Sequence, residues 1–252
     1  MALDPNNLFG NAQRMSRSQA HAAEIDVGLR EYMLRVYNYM TTGLALTGLL
    51  AYVTANTPSL LSLFYAVGAN GQVGPTGLGW IVMLSPLAFI LVLNFGINRM
   101  KASTAQYVFW AFAAVMGLSL SNIFLLYTGI SITRVFFITA ATFAAMSIYG
   151  YTTKRDLTQY RSFLMMGLFG IIIASVVNIF LHSSGLQFVI SIVGVLIFVG
   201  LTAHDTQAIR NMYYAADHAE TTTKKAVMGA LSLYLDFLNL FLLLLRLFGD
   251  RR

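Results

Sequence analysis

The stretch ALSLYLDFLNLFLLLLRLFG, Ala230–Gly249, is an apolar run with one carboxylate, Asp236, inside it. Leu231 to Phe248 supplies about 18 residues, or about 27 Å at 1.5 Å per residue. That nearly spans a bilayer hydrocarbon core of about 30 Å. A charged aspartate near the centre of a membrane helix costs roughly 2.5–3.5 kcal/mol on insertion scales. Asp236 is therefore expected to face the bundle interior, a water-filled cavity or a partner. At 100° per residue, Gly229, Ser232, Asp236, Asn239, Leu243 and Arg246 share one side of the helix. A polar stripe on an apolar helix predicts that this helix sits centrally, with others around it. The same aspartate could also act as interhelical glue.

Composition extends this reading to the whole chain. Of 252 residues, 57% are apolar and 10% charged. Soluble domains are typically about 45–50% apolar and about 25% charged. With so little charge to cover it, much of the surface must face lipid. The net charge of +6 does not point to nucleic acid, because the Lys and Arg are scattered between apolar runs rather than gathered in a patch. The absence of cysteine excludes disulfides, thiol catalysis and iron–sulfur clusters.

Seven stretches are long and apolar enough to be membrane helices, at about residues 36–55, 78–97, 105–127, 132–151, 162–181, 186–206 and 228–248. Backbone polar groups in lipid must be satisfied internally, so the segments are helical. The expectation is an all-α membrane protein: a single domain over 36–250, preceded by a polar N-terminal segment, 1–35. That segment lacks the apolar core of a secretory signal, so the first membrane helix is expected to direct insertion. A Gly/Pro-containing linker, with the apolar stretch Leu60–Val67 in it, separates the first two helices.

Lys and Arg in short loops set orientation. With the N-terminus in the cytoplasm, one side collects Arg14, Arg17, Arg30, Arg35, Arg99, Lys101, Lys154, Arg155, Arg161, Arg210, Lys224 and Lys225. Before the last helix, the other side has only Arg134. Arg246, Arg251 and Arg252 break the pattern. Either the last helix crosses fully or it re-enters; its length favours crossing.

Asp205 lies near the cytoplasmic end of the sixth helix, in Thr202-Ala203-His204-Asp205-Thr206-Gln207. Two carboxylates on successive helices cannot both ionise cheaply if they approach, and they titrate as a unit. Such a pair is a candidate pH sensor and gate. It could also attract Ca²⁺, although a tight calcium site needs six to eight oxygens. For Asp205 to meet Asp236 it must lie at least a turn inside the membrane. Arg99, closing the second helix on the same side, is the expected cation partner, with Lys101 as the alternative. Ser232, Asn239 and Arg246 mark a possible polar pathway. His204 adjoins Asp205 but points about 100° away and reads as interfacial. No histidine pair has zinc spacing. Gly117, Ser119, Ser121 and Asn122 read as helix-packing residues.

Ala230–Gly249 strongly resembles the C-terminal signature of the Bax inhibitor-1 (transmembrane Bax-inhibitor-motif) family. His204-Asp205-Thr206-Gln207 resembles its acidic motif, and Gly117–Thr128 its third-helix pattern. The resemblance covers about residues 25–250. It implies a seven-helix fold with a central last helix. It implies a hydrogen-bonded aspartate pair matching Asp205 and Asp236, a basic residue of the second helix matching Arg99, and a pH-sensitive calcium leak. An acid carried by some relatives in the second helix has no counterpart in Met83–Phe89.

The expected function is thus a calcium leak channel of a bacterial inner membrane, without a cofactor. The alternative is a regulatory protein that modulates a membrane-bound protease or a stress response. An intramembrane aspartyl protease is disfavoured: Leu233-Tyr234-Leu235-Asp236 replaces Gly-x-Gly-Asp, and Pro86 is the last proline. The chain is not expected to be an enzyme.

Overall fold

The computed structural model describes residues 5–67 and 73–252, with side chains over 27–66 and 74–252. Nine α-helices are described: α1 Pro5–Asn56, α2 Pro58–Phe64, α3 Gly77–Gly96, α4 Ala102–Leu120, α5 Ile123–Leu126, α6 Gly129–Thr152, α7 Arg161–Leu181, α8 Ser184–Asn211 and α9 Ala219–Phe248. A hairpin of β1 Tyr65–Val67 and β2 Val73–Pro75 follows α2, pairing Tyr65 with Pro75 and Ala66 with Gly74.

Six segments are long and apolar enough to cross a membrane: Gly77–Gly96, Ala102–Leu126, Gly129–Thr152, Thr158–Leu181, Ser184–Asn211 and Ala219–Phe248. Val27–Asn56 makes a seventh if it and Pro58–Phe64, bent by 100° between them, count as one span. The outer surface carries Phe95, Ile130, Phe137, Phe163, Phe180 and Leu196 in the open. An apolar exterior of this extent requires lipid around it.

α9 is the most buried of these spans, with 72% of its apolar window covered against 6% in the span containing α7. It packs on α8, α1, α6 and α4. Hydroxyls stitch it in: Thr47 of α1 donates to the Ala113 carbonyl of α4 at 2.8 Å and lies 2.7 Å from the Tyr234 hydroxyl. α3 packs on α4 and α2, and α7 on α8.

The structure changes three sequence-based boundaries. The first helix does not begin at residue 36, because α1 runs through it and buries Tyr32 and Met33 in the same core as α9. Of the segment 1–35, residues 1–4 and the side chains up to 26 lie outside the described residues. The third helix is broken. Ser119 donates to the Val82 carbonyl of α3 at 2.7 Å, and Ser121 donates to the Leu118 carbonyl at 2.7 Å. Such side-chain bonds compete with the helical ladder, and α4 ends at Leu120. The linker holds α2 and the hairpin, tied by Thr76 Oγ1 donating to the Leu63 carbonyl at 2.6 Å; residues 68–72 lie outside the described residues.

α9 traverses the whole bundle. Its start neighbours the ends of α8 and α6, where Arg210 donates to the Tyr151 carbonyl and Arg35 to Thr223. Its end pairs with the α5–α6 connection: the Thr128 N–H donates to the Asp250 carbonyl, Arg252 N–H to the Leu126 carbonyl, and Arg134 lies 2.9 Å from Asp250. α9 thus runs as one helix from one end of the bundle to the other.

Candidate functional site

Two glycine contacts fix how α8 and α9 meet. A Cβ on Gly194 would meet Leu243, and one on Gly229 would meet Ile209. The helices run antiparallel in that register, so Asp205 faces the turn just before Asp236, within about one 5.4 Å pitch of its level. α8 continues to Asn211, leaving Asp205 six residues from its end. Asp236 is 5% exposed, and its Oδ2 is buried with no hydrogen-bond partner among the described residues. Asp205 is half-buried.

The partner of Asp205 differs from the sequence-based expectation. His204 is 7% exposed, and its Nδ1 lies 2.8 Å from Asp205 Oδ1. The hydrogen-bonded aspartate pair implied by the resemblance is not among the bonds of the described residues. Arg99 is exposed on the turn after α3, a helix that packs on α4 and α2, and it makes no ion pair among the described residues. Lys101 lies instead beside Glu220.

Helix contacts place polar groups of neighbouring elements around Asp205. Gly150 lets α6 approach α8 closely, since a Cβ there would fall 2.2 Å from the Ala203 carbonyl. One turn earlier on α6, Ser147 lies 3.0 Å from Thr206 Oγ1 and 2.6 Å from the Tyr37 hydroxyl, joining α1, α6 and α8. Gln207 clamps the loop after α6: it accepts from the Leu157 N–H at 2.7 Å and donates to the Arg155 carbonyl at 2.8 Å. In that loop, hydrogen bonds from the Thr158 hydroxyl and N–H hold the Asp156 carboxyl below the usual carboxylate range. The signal for Gln207 and Thr206 was the polar run at 204–207; their partners are far away in sequence.

The remaining candidates divide along α9. Ser232 and Asn239 are half-buried, and Asn239 donates to the Leu235 carbonyl of its own helix at 2.8 Å. Arg246 is exposed at the far end, remote from Asp205. No group of three or more His, Asp or Glu suited to a metal exists among the described residues. The calcium donors expected from the sequence, Asp205 and Asp236, are thus two carboxylates without a third.

A bundle of apolar helices with an apolar outer face and a buried acid at its centre defines a multi-pass α-helical membrane protein. Within that class, the family described as Inhibitor of apoptosis-promoting Bax1 matches residues 29–252, and the chain belongs to it. It is 49% identical over 227 residues to the uncharacterized protein RP147 of Rickettsia prowazekii (strain Madrid E), covering 90% of this chain and 92% of the relative. It is 44% identical to the inner membrane protein YbhL of Escherichia coli (strain K12), covering 89% and 94%. The uncharacterized membrane protein SpyM3_0260 of Streptococcus pyogenes serotype M3 is 35% identical, with the same coverage.

Proposed function

We propose that the chain is a pH-sensitive calcium leak channel of a bacterial inner membrane, with Asp205 and Asp236 as its gate. The observation that carries this reading is the buried Asp236 Oδ2, without a partner among the described residues, about one helical turn from the level of a second carboxylate on α8. Two ionised carboxylates in a low-dielectric contact repel one another. One shared proton removes that repulsion and lets α8 and α9 stay packed. Loss of the proton favours their separation, so flux rises with pH. Calcium is the substrate here: a hard cation is attracted by carboxylate oxygens, and two carboxylates hold it too weakly to trap it.

The inner-membrane location rests on the family and on the name of the Escherichia coli relative. The cytoplasmic side is assigned to the end rich in Lys and Arg. The test is calcium flux into proteoliposomes across a pH series. The wild-type protein is expected to leak more as pH rises, and Asp205→Asn with Asp236→Asn to flatten that dependence. A double variant with unchanged flux and unchanged pH profile sinks the proposal.

A further inference from the structure

α1 and α6 both pack on α9, and over α9 they leave a groove of about 1060 Å³. Its walls include Leu34, Leu44 and Leu49 from α1 with Ala144 and Ile148 from α6, and Phe237 of α9 lies at its base. Leu34 and Leu49 are themselves exposed, as is Ile148, so the groove opens sideways out of the bundle. Along α1 it extends from Arg30 to Tyr52, about 33 Å at 1.5 Å per residue. That is the thickness of the hydrocarbon core.

The two ends of the groove differ in chemistry. At one end stands Arg30, the one charged residue of the described lining. Beside it, Tyr151 receives the Arg210 guanidinium on its carbonyl, and the Tyr37 and Ser147 hydroxyls are bonded together. The other end is closed by Tyr52 and Phe136, with no charge. A long apolar trough in the membrane with a cation at one mouth matches an amphiphile with one anionic head and an extended tail. We propose that this groove is a binding site for an anionic phospholipid, with an acyl chain along α1 and the phosphate at Arg30.

The site adjoins the carboxylates without depending on the channel reading. Phe237 follows Asp236, and Ser147 bonds Thr206, which follows Asp205. A bound chain therefore touches the wall behind both acids.

The test is native mass spectrometry of the full chain, incubated with equal amounts of phosphatidylglycerol and phosphatidylcholine of matched chains. The wild-type protein is expected to retain one phosphatidylglycerol in preference by about fivefold, the ratio that one Arg near an anionic headgroup supplies. Arg30→Gln is expected to erase that preference while chain binding persists. Gly48→Leu fills the groove from α1, where a Cβ meets nothing within 4 Å; it is expected to lower retention of both lipids. Ala144→Phe does the same from α6, and each variant is compared at an unchanged thermal melt. Equal retention of the two lipids by the wild-type protein overturns the proposal. So does a preference that survives Arg30→Gln, retention that survives both groove-filling variants, or a dimer of the chain that excludes lipid.

Discussion

At the scale of single residues, the buried acid works against stability. Leaving a buried polar atom without a partner costs about 1–3 kcal/mol, and Asp236 Oδ2 is such an atom among the described residues. Asp236→Leu is therefore expected to melt higher than the wild-type protein in detergent, by the equivalent of about 1–3 kcal/mol, while its flux loses pH dependence. A lower melting temperature would mean that the oxygen has a partner it needs. His204 and Arg99 make a second contrast. His204 is hydrogen-bonded to Asp205, whereas Arg99 is exposed on the turn after α3. His204→Leu should therefore change the pH profile of the flux, and Arg99→Ala should leave it in place. The two acids were legible in the sequence because charges inside apolar runs are rare and costly. Their surroundings were not, because a partner on another element depends on which helices touch. The bond between His204 and Asp205 was not legible either, because a 100° offset between neighbours does not prevent their side chains from meeting.

At the scale of elements, close approach decides which helices can be neighbours. The α6–α8 contact has no room for a side chain at Gly150, where a Cβ would fall 2.2 Å from the Ala203 carbonyl. Gly150→Val should destabilise by about 1–3 kcal/mol, the usual cost of overpacking. Gly170→Ala on α7, where nothing lies within 4 Å, should be neutral or stabilising by up to about 1 kcal/mol. Paired thermal melts check both. The loop that Gln207 clamps carries its own pH dependence. The Asp156 carboxyl is lowered by its bonds from Thr158, so the ordered loop prefers the ionised form. Order is complete above the ordinary carboxylate range and is lost as pH falls through the lowered value. Relative to its intrinsic rate, hydrogen exchange at the Thr158 amide, 2.9 Å from Asp156 Oδ1, should accelerate over that acid range, and Asp156→Asn should flatten the change. Hydropathy located the apolar segments well. It missed the break at Ser121 and Asn122 because two polar residues are averaged out within a long apolar run. It also missed the continuation of α1 before residue 36, because a polar helix face carries no membrane signal.

At the scale of the whole molecule, charge is sorted between the two ends of the bundle. One end gathers Arg30, Arg35, Lys101, Arg155, Arg210, Lys224 and Lys225, linked through the contacts of Arg35 with Thr223, Arg210 with Tyr151 and Glu220 with Lys101. The other end holds Arg134, Arg246, Arg251 and Arg252, with Asp250 pairing Arg134. Loop cations are retained on the cytoplasmic side, so the first end is expected inside and the C-terminus outside. Late charges are weak determinants once the earlier helices have set the orientation, and the ion pair with Asp250 offsets one of them. The chain has no cysteine, which makes the arrangement directly measurable with single cysteines. In intact cells of a bacterial host, a membrane-impermeant maleimide should label Arg252→Cys and His182→Cys. Lys154→Cys and Lys224→Cys should react only after the cells are opened. Labelling of Lys154→Cys in intact cells would invert the orientation. Protection of Arg252→Cys alone would contradict the crossing of α9, and with it the pairing of the tail to the α5–α6 connection.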